Sequence, residues 1–395
     1  MNMVNRKRIY LDYAATSPVR PEVIKAMMPY FTQKFGNASS LHSYGREAAA
    51  ALRQSRESIA EIINADFKEV VFTSGGTESD NLAIKGAAYA NKQKGNHLIT
   101  SAIEHPAVLN AMKQLETEGF RVTYLPVDKF GSVDANDVAK AITPKTILIS
   151  VMHGNNEIGT IQPIKDIGRI AKEKGVLFHV DAVQTFAKLP IDVEKMNIDL
   201  LSASSHKIGG PKGVGFLFVR NGVQLKPLFD GGAHEFHKRP GTENVSAIAG
   251  FAKAAELSSS EMKKESARLA KLRDRLIKSV LSSVKGSRLN GHPKNRLPNN
   301  INFGFVGVEG EAVLLILDSY GIAASTGSAC SSHDLAPSHV LLAINPDPVK
   351  AHGSLRITLG RETKDSDISY AIKVIPKAVE HIRRITPRIE GVTTI

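Results

Sequence analysis

Val176-Leu177-Phe178-His179-Val180-Asp181 is an apolar run closed by a carboxylate, and Ile198-Asp199-Leu200-Leu201-Ser202-Ala203-Ser204-Ser205-His206-Lys207 is a second such run closed by an amine. The acid and the amine stand 26 residues apart (207 − 181). Both runs read as buried strands. Around them, from residue 66 to residue 220, short β-branched runs alternate with helical patterns. Strands are expected at 69–73, 97–101, 121–125, 146–152, 176–180, 200–203 and 215–219, with a helix over 45–64 whose Leu52, Ile59, Ile62 and Ile63 share a face. Such alternation specifies a mainly parallel, doubly wound α/β sheet covered by helices.

After Phe251 the pattern changes to a long charged helix over 261–285, with Leu269, Leu272, Leu276 and Val280 spaced 3, 4 and 4 apart. It reads as a bridge to a second domain. That domain would hold a strand at 300–305, a helix at 309–318, a small-residue loop around Cys330, a strand at 354–359 and a last helix from about 364; residues 286–298 are the surface connection. The division expected is a large domain over 17–260 and a smaller α+β domain made of 1–16 and 261–395.

Composition narrows the class. At 395 residues and 42% apolar, the chain can bury a deep core. One cysteine excludes intrachain disulfides and multi-cysteine metal sites, so no metal is expected. No apolar run is long enough to span a bilayer, and no signal-length run follows the basic start, so a cytoplasmic chain without membrane contact is expected. The 51 basic against 39 acidic residues are dispersed, and no RNA-binding motif appears, so direct nucleic-acid binding is not expected.

Ligands of open α/β sheets bind beyond the carboxyl ends of strands. Thr73-Ser74-Gly75-Gly76-Thr77, Glu104-His105, His153-Gly154-Asn155-Asn156, Asp181 with Gln184, and Ser204–Lys207 all follow expected strands. A carboxylate and an amine among them meet two needs of pyridoxal 5'-phosphate: an anion at the ring nitrogen and an amine for the aldehyde. The glycine turn at Gly75-Gly76 opens a helix and suits a phosphate. It is neither a Walker loop nor a dinucleotide turn. Lys207 is the candidate for the aldehyde, or else a surface loop lysine. His105 could stack on the ring and move protons, or could be structural. Ser204 and His206 could bind phosphate or shape the turn. Cys330, in Ser328-Ala329-Cys330-Ser331-Ser332-His333, is either a reactive thiol or an inert one.

From Tyr10-Leu11-Asp12-Tyr13-Ala14-Ala15-Thr16 to the last helix, the chain resembles the cysteine desulfurases, the NifS/IscS-like branch of fold-type-I pyridoxal phosphate enzymes. The motifs that carry the resemblance include Gly36-Asn37-Ala38-Ser39-Ser40-Leu41-His42, Asn155-Asn156-Glu157-Ile158-Gly159, Ser205-His206-Lys207, Arg239-Pro240-Gly241-Thr242-Glu243-Asn244 and Ser354-Leu355-Arg356. The resemblance implies the fold-type-I transferase architecture, with a mainly parallel seven-stranded sheet in the large domain. It makes Lys207 the lysine that bonds the cofactor, with Gly76, Thr77, Ser204 and His206 around the phosphate. Asn156 and Gln184 fall on the ring's oxygen side, His105 on its face and Asp181 at its nitrogen. Thr242 would reach the phosphate of a neighbouring subunit, implying a homodimer. Arg356, with Asn37 nearby, would clamp the substrate carboxylate.

The reaction implied converts L-cysteine to L-alanine. The freed Lys207 amine moves the Cα proton, the Cys330 thiolate takes the substrate sulfur, and the persulfide is collected by an acceptor protein. The loop after Cys330 resembles the long-loop group, whose cysteine travels. Two departures bear on the acceptor: Gly231-Gly232-Ala233-His234-Glu235-Phe236 replaces a Gly-Gly-Gly-Gln-Glu-Arg pattern, and residues 383–395 lack the longer tail with which some members grip an iron–sulfur scaffold. A tRNA-thiolating acceptor therefore stands beside an iron–sulfur scaffold or thio-cofactor synthesis. The competing readings are another fold-type-I enzyme, such as a selenocysteine lyase or aminotransferase, and a non-catalytic basic module that has kept the fold.

Overall fold

The strands of the chain are β1 (Ile9–Tyr10), β2 (Val70–Thr73), β3 (His97–Ser101), β4 (Arg121–Leu125), β5 (Thr146–Ser150), β6 (Leu177–Asp181), β7 (Leu200–Ser204), β8 (Gly215–Val219), β9 (Ser287–Leu289), β10 (Asn300–Phe305), β11 (Ile322–Ala323) and β12 (Ser354–Thr358). The helices are α1 (Pro21–Met27), α2 (Pro29–Thr32), α3 (Ser43–Ile63), α4 (Gly76–Asn91), α5 (Pro106–Thr117), α6 (Ala135–Ala141), α7 (Ile164–Lys174), α8 (Val245–Ser283), α9 (Gly310–Ser319), α10 (His339–Ile344), α11 (Pro348–His352) and α12 (Asp365–Ile385). They come from a computed structural model that describes residues 8–326 and 337–385.

Strands β2 to β8 form one seven-stranded sheet in the order β2-β8-β7-β6-β5-β3-β4. Every pairing is parallel except those of β8, which runs antiparallel to both β2 and β7. The expected mainly parallel seven-stranded sheet is what the chain forms. Alternation within each strand divides the core in two. Val70, Phe72, Phe178, Val180, Leu201, Phe216 and Phe218 meet α3, α7 and the first part of α8. Val71, Leu98, Leu148, Leu200 and Leu217 meet α4 and α5 on the other face.

A second core lies between the three-stranded antiparallel sheet β12-β10-β9, α9, α12 and the second part of α8. The first strand, β1, joins this part by pairing in parallel with β11. Helix α8 is one element of 39 residues, and it starts sixteen residues before the expected 261 (261 − 245). The early half carries Ala247, Ile248, Phe251, Ala254 and Ala255 into the first core, and Leu269, Leu272, Leu276 and Val280 go into the second. Its charged pattern begins only where the helix leaves the sheet. Among the described residues no helix is long and apolar enough to cross a membrane.

Candidate active site

The carboxyl ends of β2, β3, β6 and β7 deliver their polar residues to one place. After β2, Gly75 adopts φ +153°, open to glycine alone, and a Cβ there would sit 3.8 Å from Ser204 Oγ. At Gly76 a Cβ would come within 2.7 Å of Val183 Cγ2. Gly76 and Thr77 are the first residues of α4, where amides have no acceptor within their own helix. The result is a cradle with Ser204 on its wall, floored by a helix N-terminus that favours an anion.

Lys207 ends a turn of 3-10 helix after β7. Its Nζ donates to the Ala15 carbonyl at 2.8 Å and to that of Ala14, which also accepts from Gln184 Nε2 at 3.0 Å. His206 holds the same N-terminal segment: its Nδ1 lies 3.1 Å from Thr16 Oγ1, and its carbonyl accepts from Ser17 N and Oγ. The segment 14–17 thus braces the amine from one side.

Asp181 closes β6, 5% exposed, with Oδ1 accepting from Val183 N at 2.9 Å. Burial pushes its carboxyl up to about 6, against that hydrogen bond and the charge of Lys207, which both pull it down. His105 caps α5, its Nδ1 accepting from Ala107 N at 3.1 Å. Burial, and then the charge of Lys207, push it down to about 4, so the ring is neutral at physiological pH. The Lys207 ammonium therefore acts on the acid and the imidazole alike. Glu104 beside it is fully buried, bound to Ser101 Oγ and to Met152 N at 3.0 Å, and burial lifts it to about 8.

The residues suit pyridoxal phosphate on their own geometry: a cradle that a Cβ would fill, a helix N-terminus suited to a phosphate, a buried carboxyl at the end of β6 and an amine just after β7. The comparisons agree. The family model for class-V aminotransferases matches residues 9–370. The chain is 53% identical to the cysteine desulfurase IscS of Dictyoglomus turgidum over 97% of each chain. It is 52% identical to that of Methanosarcina thermophila, over 96% of this chain and 94% of the other. The chain belongs to the NifS/IscS-like cysteine desulfurases, fold-type-I enzymes of pyridoxal phosphate.

Among solved structures, a NifS-like protein superposes on this desulfurase with a TM-score of 0.89 at 37% identity, covering 95% of this chain and 100% of that one. SspA, solved in complex with cysteine, superposes with a TM-score of 0.80 at 40% identity, covering 89% and 99%.

Other expected residues of the desulfurase fall in three places. Arg356 lies on β12, 3% exposed; its Nη2 pairs with Asp12 Oδ1 at 2.8 Å, its Nη1 reaches the Asn156 carbonyl at 3.4 Å, and its Nε has no partner among the described residues. Arg356 and Asn156 are thus brought together. Asn37 and Thr242 are exposed. Asn37 Oδ1 accepts from Ser39 N at 2.9 Å, and among the described residues no hydrogen bond joins it to Arg356. Cys330 lies outside the described residues.

Sequence reasoning missed Asp12, the carboxylate that occupies one end of Arg356, and Asp80, a carboxyl buried under α4. Asp80 had a signal. With Ala83, Ile84 and Ala87 it lies on the buried side of α4, and an acid on an apolar stripe needs a reason to be there.

Proposed function

We propose that Lys207, Asp181 and the Gly75–Thr77 turn hold pyridoxal 5'-phosphate in this desulfurase, with Ser204 and His206 at the phosphate, Asn156 and Gln184 at the ring oxygen and His105 on the ring face. As a member of its family the chain converts L-cysteine to L-alanine and passes the sulfur on as a persulfide. The bound cofactor supplies an electron sink for the substrate Cα. Asp181 would hold a proton on the ring nitrogen, and the Lys207 amine would carry the substrate's Cα proton. Arg356 turns from Asp12 to the substrate carboxylate, a trade of one carboxylate for another, and Asn37 assists it. The Cys330 thiolate attacks the substrate sulfur. The S–S bond forms as the C–S bond breaks, the carbon keeps the electron pair and takes a proton, and alanine leaves.

The single observation that carries this reading is that Lys207 Nζ and Gln184 Nε2, which follow β7 and β6, meet on one acceptor, the Ala14 carbonyl, with Gln184 three residues along the chain from the buried Asp181. L-cysteine as substrate is supported by the cysteine complex of SspA. The acceptor is a tRNA-thiolating enzyme, an iron–sulfur scaffold or a thio-cofactor enzyme, met in the cytoplasm. The working unit is a homodimer in which Thr242 reaches the partner's phosphate. Exposed apolar side chains support it: Met28, Phe31, Phe35 and Leu41, with the Phe35 ring 5.4 Å from that of Tyr44 and tilted against it by 34°. Division into 17–260 and 1–16 plus 261–395 follows the two cores, with the Cys330 loop in the smaller part.

Two variants test the reading. Lys207→Ala should form no borohydride-fixed adduct and no alanine. Cys330→Ser should keep the cofactor's absorbance and lose the protein-bound label from radioactive-sulfur cysteine. Persulfide transfer undiminished in Cys330→Ser would remove the thiol from the mechanism.

A further inference from the structure

The face of the sheet beneath α4 is apolar along one half, through Leu148, Leu177 and Leu200, and polar toward the strand ends. With side chains alternating at a period of two, Ser150 follows Leu148 on β5, His179 and Asp181 follow Leu177 on β6, and Ser202 follows Leu200 on β7. The ladder sets Ser150 beside His179 and Ser202 beside Asp181. Onto this layer α4 lowers Asp80, 1% exposed. Its Oδ1 is 3.7 Å from His179 Nε2 and has no hydrogen-bond partner among the described residues.

His179 is not a counter-ion for Asp80. Its Nδ1 is 2.8 Å from Ser150 Oγ and its Nε2 2.9 Å from Ser202 Oγ, and burial drives it down to about 3, so the imidazole is neutral. The other charged groups that act on Asp80 are acidic: Asp181 from β6 and Glu104 from the turn after β3. Burial, then these two, lift Asp80 well above the usual carboxylate range, opposed by Ser202. The ammonium of Lys207 acts on Asp181 instead. Two adjacent buried carboxyls without a counter-ion for one of them do not both ionise.

We propose that Asp80 is a positioning residue for Asp181: it keeps its proton, so the pair bears one negative charge, held by the member that faces the cofactor's ring nitrogen. The site then meets the ring with one anion whose charge is not shared along α4. The inference rests on the role given to Asp181 above, and the pair itself can be tested with and without cofactor.

The isosteric Asp80→Asn fixes the neutral state. A carboxyl raised in the folded chain stabilises it fully at low pH and loses that contribution as pH rises, because the unfolded chain ionises first. The thermal midpoint of the full-length, cofactor-stripped Asp80→Asn variant should therefore gain on the wild type by about 1 °C or more per pH unit between pH 5 and 8. A gap that is constant or narrows would overturn the proposal.

Wild-type chain labelled with 13C-aspartate should show a neutral-acid carboxyl carbon at pH 7.5. None there would overturn it even if the variant fails to fold. Asp80→Asn should take up pyridoxal phosphate within about twofold of wild type, since the charge at Asp181 is unchanged; a tenfold loss counts against it. Wild type that takes up no cofactor, with the first two results as expected, refutes the cofactor reading and leaves the one-proton pair standing.

Discussion

Gly76 shows how one missing methyl group shapes the site. A Cβ would stand 2.7 Å from Val183 Cγ2, two residues beyond Asp181, so any side chain at Gly76 pushes the start of α4 against the turn that orients the acid. Gly76→Ala is expected to weaken pyridoxal phosphate binding by about 1–3 kcal/mol, the usual cost of overpacking, while the chain stays folded. Titration of the stripped protein with cofactor measures it, and unchanged affinity would mean that the phosphate lies elsewhere. Asp12 is the companion case. Because it holds Arg356 Nη2 at 2.8 Å, Asp12→Ala frees the guanidinium and should change KM for cysteine more than kcat.

At the scale of elements, the segment after β8 is held by an unusual device. Glu235, Phe236 and His237 adopt φ of 48°, 57° and 61°, a left-handed run of non-glycine residues. Arg56 of α3 anchors it, pairing with both Glu235 carboxylate oxygens, while Glu235 Oε2 also accepts from Phe72 N at 2.8 Å. The pair is buried at both ends. Glu235→Ala strands the guanidinium and should cost about 3–5 kcal/mol of stability, read from denaturant melts.

In the sequence the Gly231–Phe236 stretch stands out only as a departure from a family pattern, because a chain reversed by a buried ion pair leaves no periodic mark. Periodic elements were legible. The strands at 97–101, 121–125, 215–219 and 300–305 fall where they were expected, and the others shift by a residue or two at their ends. The first half of α8 was not, since its Ala- and Ser-rich turns lack the charges that marked the second half. At the site, residues after strands were legible one by one, whereas contacts with the segment 12–17 depend on chain crossings that spacing does not encode.

Across the whole molecule, buried titratable groups set how stability responds to pH. Glu104 at about 8 and Glu157 at about 7 are both raised by burial. Their contribution is complete below the unfolded value of about 4.3 and is lost as pH rises through 7 to 8. His105, His153 and His206 are pushed down to about 4, so theirs is present above about 6.5 and lost as pH falls. Lys188, which burial pushes down to about 7, gains stability as pH rises above that value and opposes part of this loss, but between pH 6.5 and 7.5 the two glutamates lose more than it gains, and the thermal midpoint of the cofactor-free chain should fall over that range. A midpoint that holds level or climbs there would contradict these assignments. The opening residues have a reach out of proportion to their length. Leu11 N donates to Ala323 O and Thr358 N to Leu11 O, each at 2.8 Å, fastening them to the second core, and three residues on Ala14 touches an amine 193 positions away. A cut between Leu11 and Ala14 should therefore depress turnover more than it depresses the melting point, because those few residues are a tether through which one half of the molecule steadies the amine of the other.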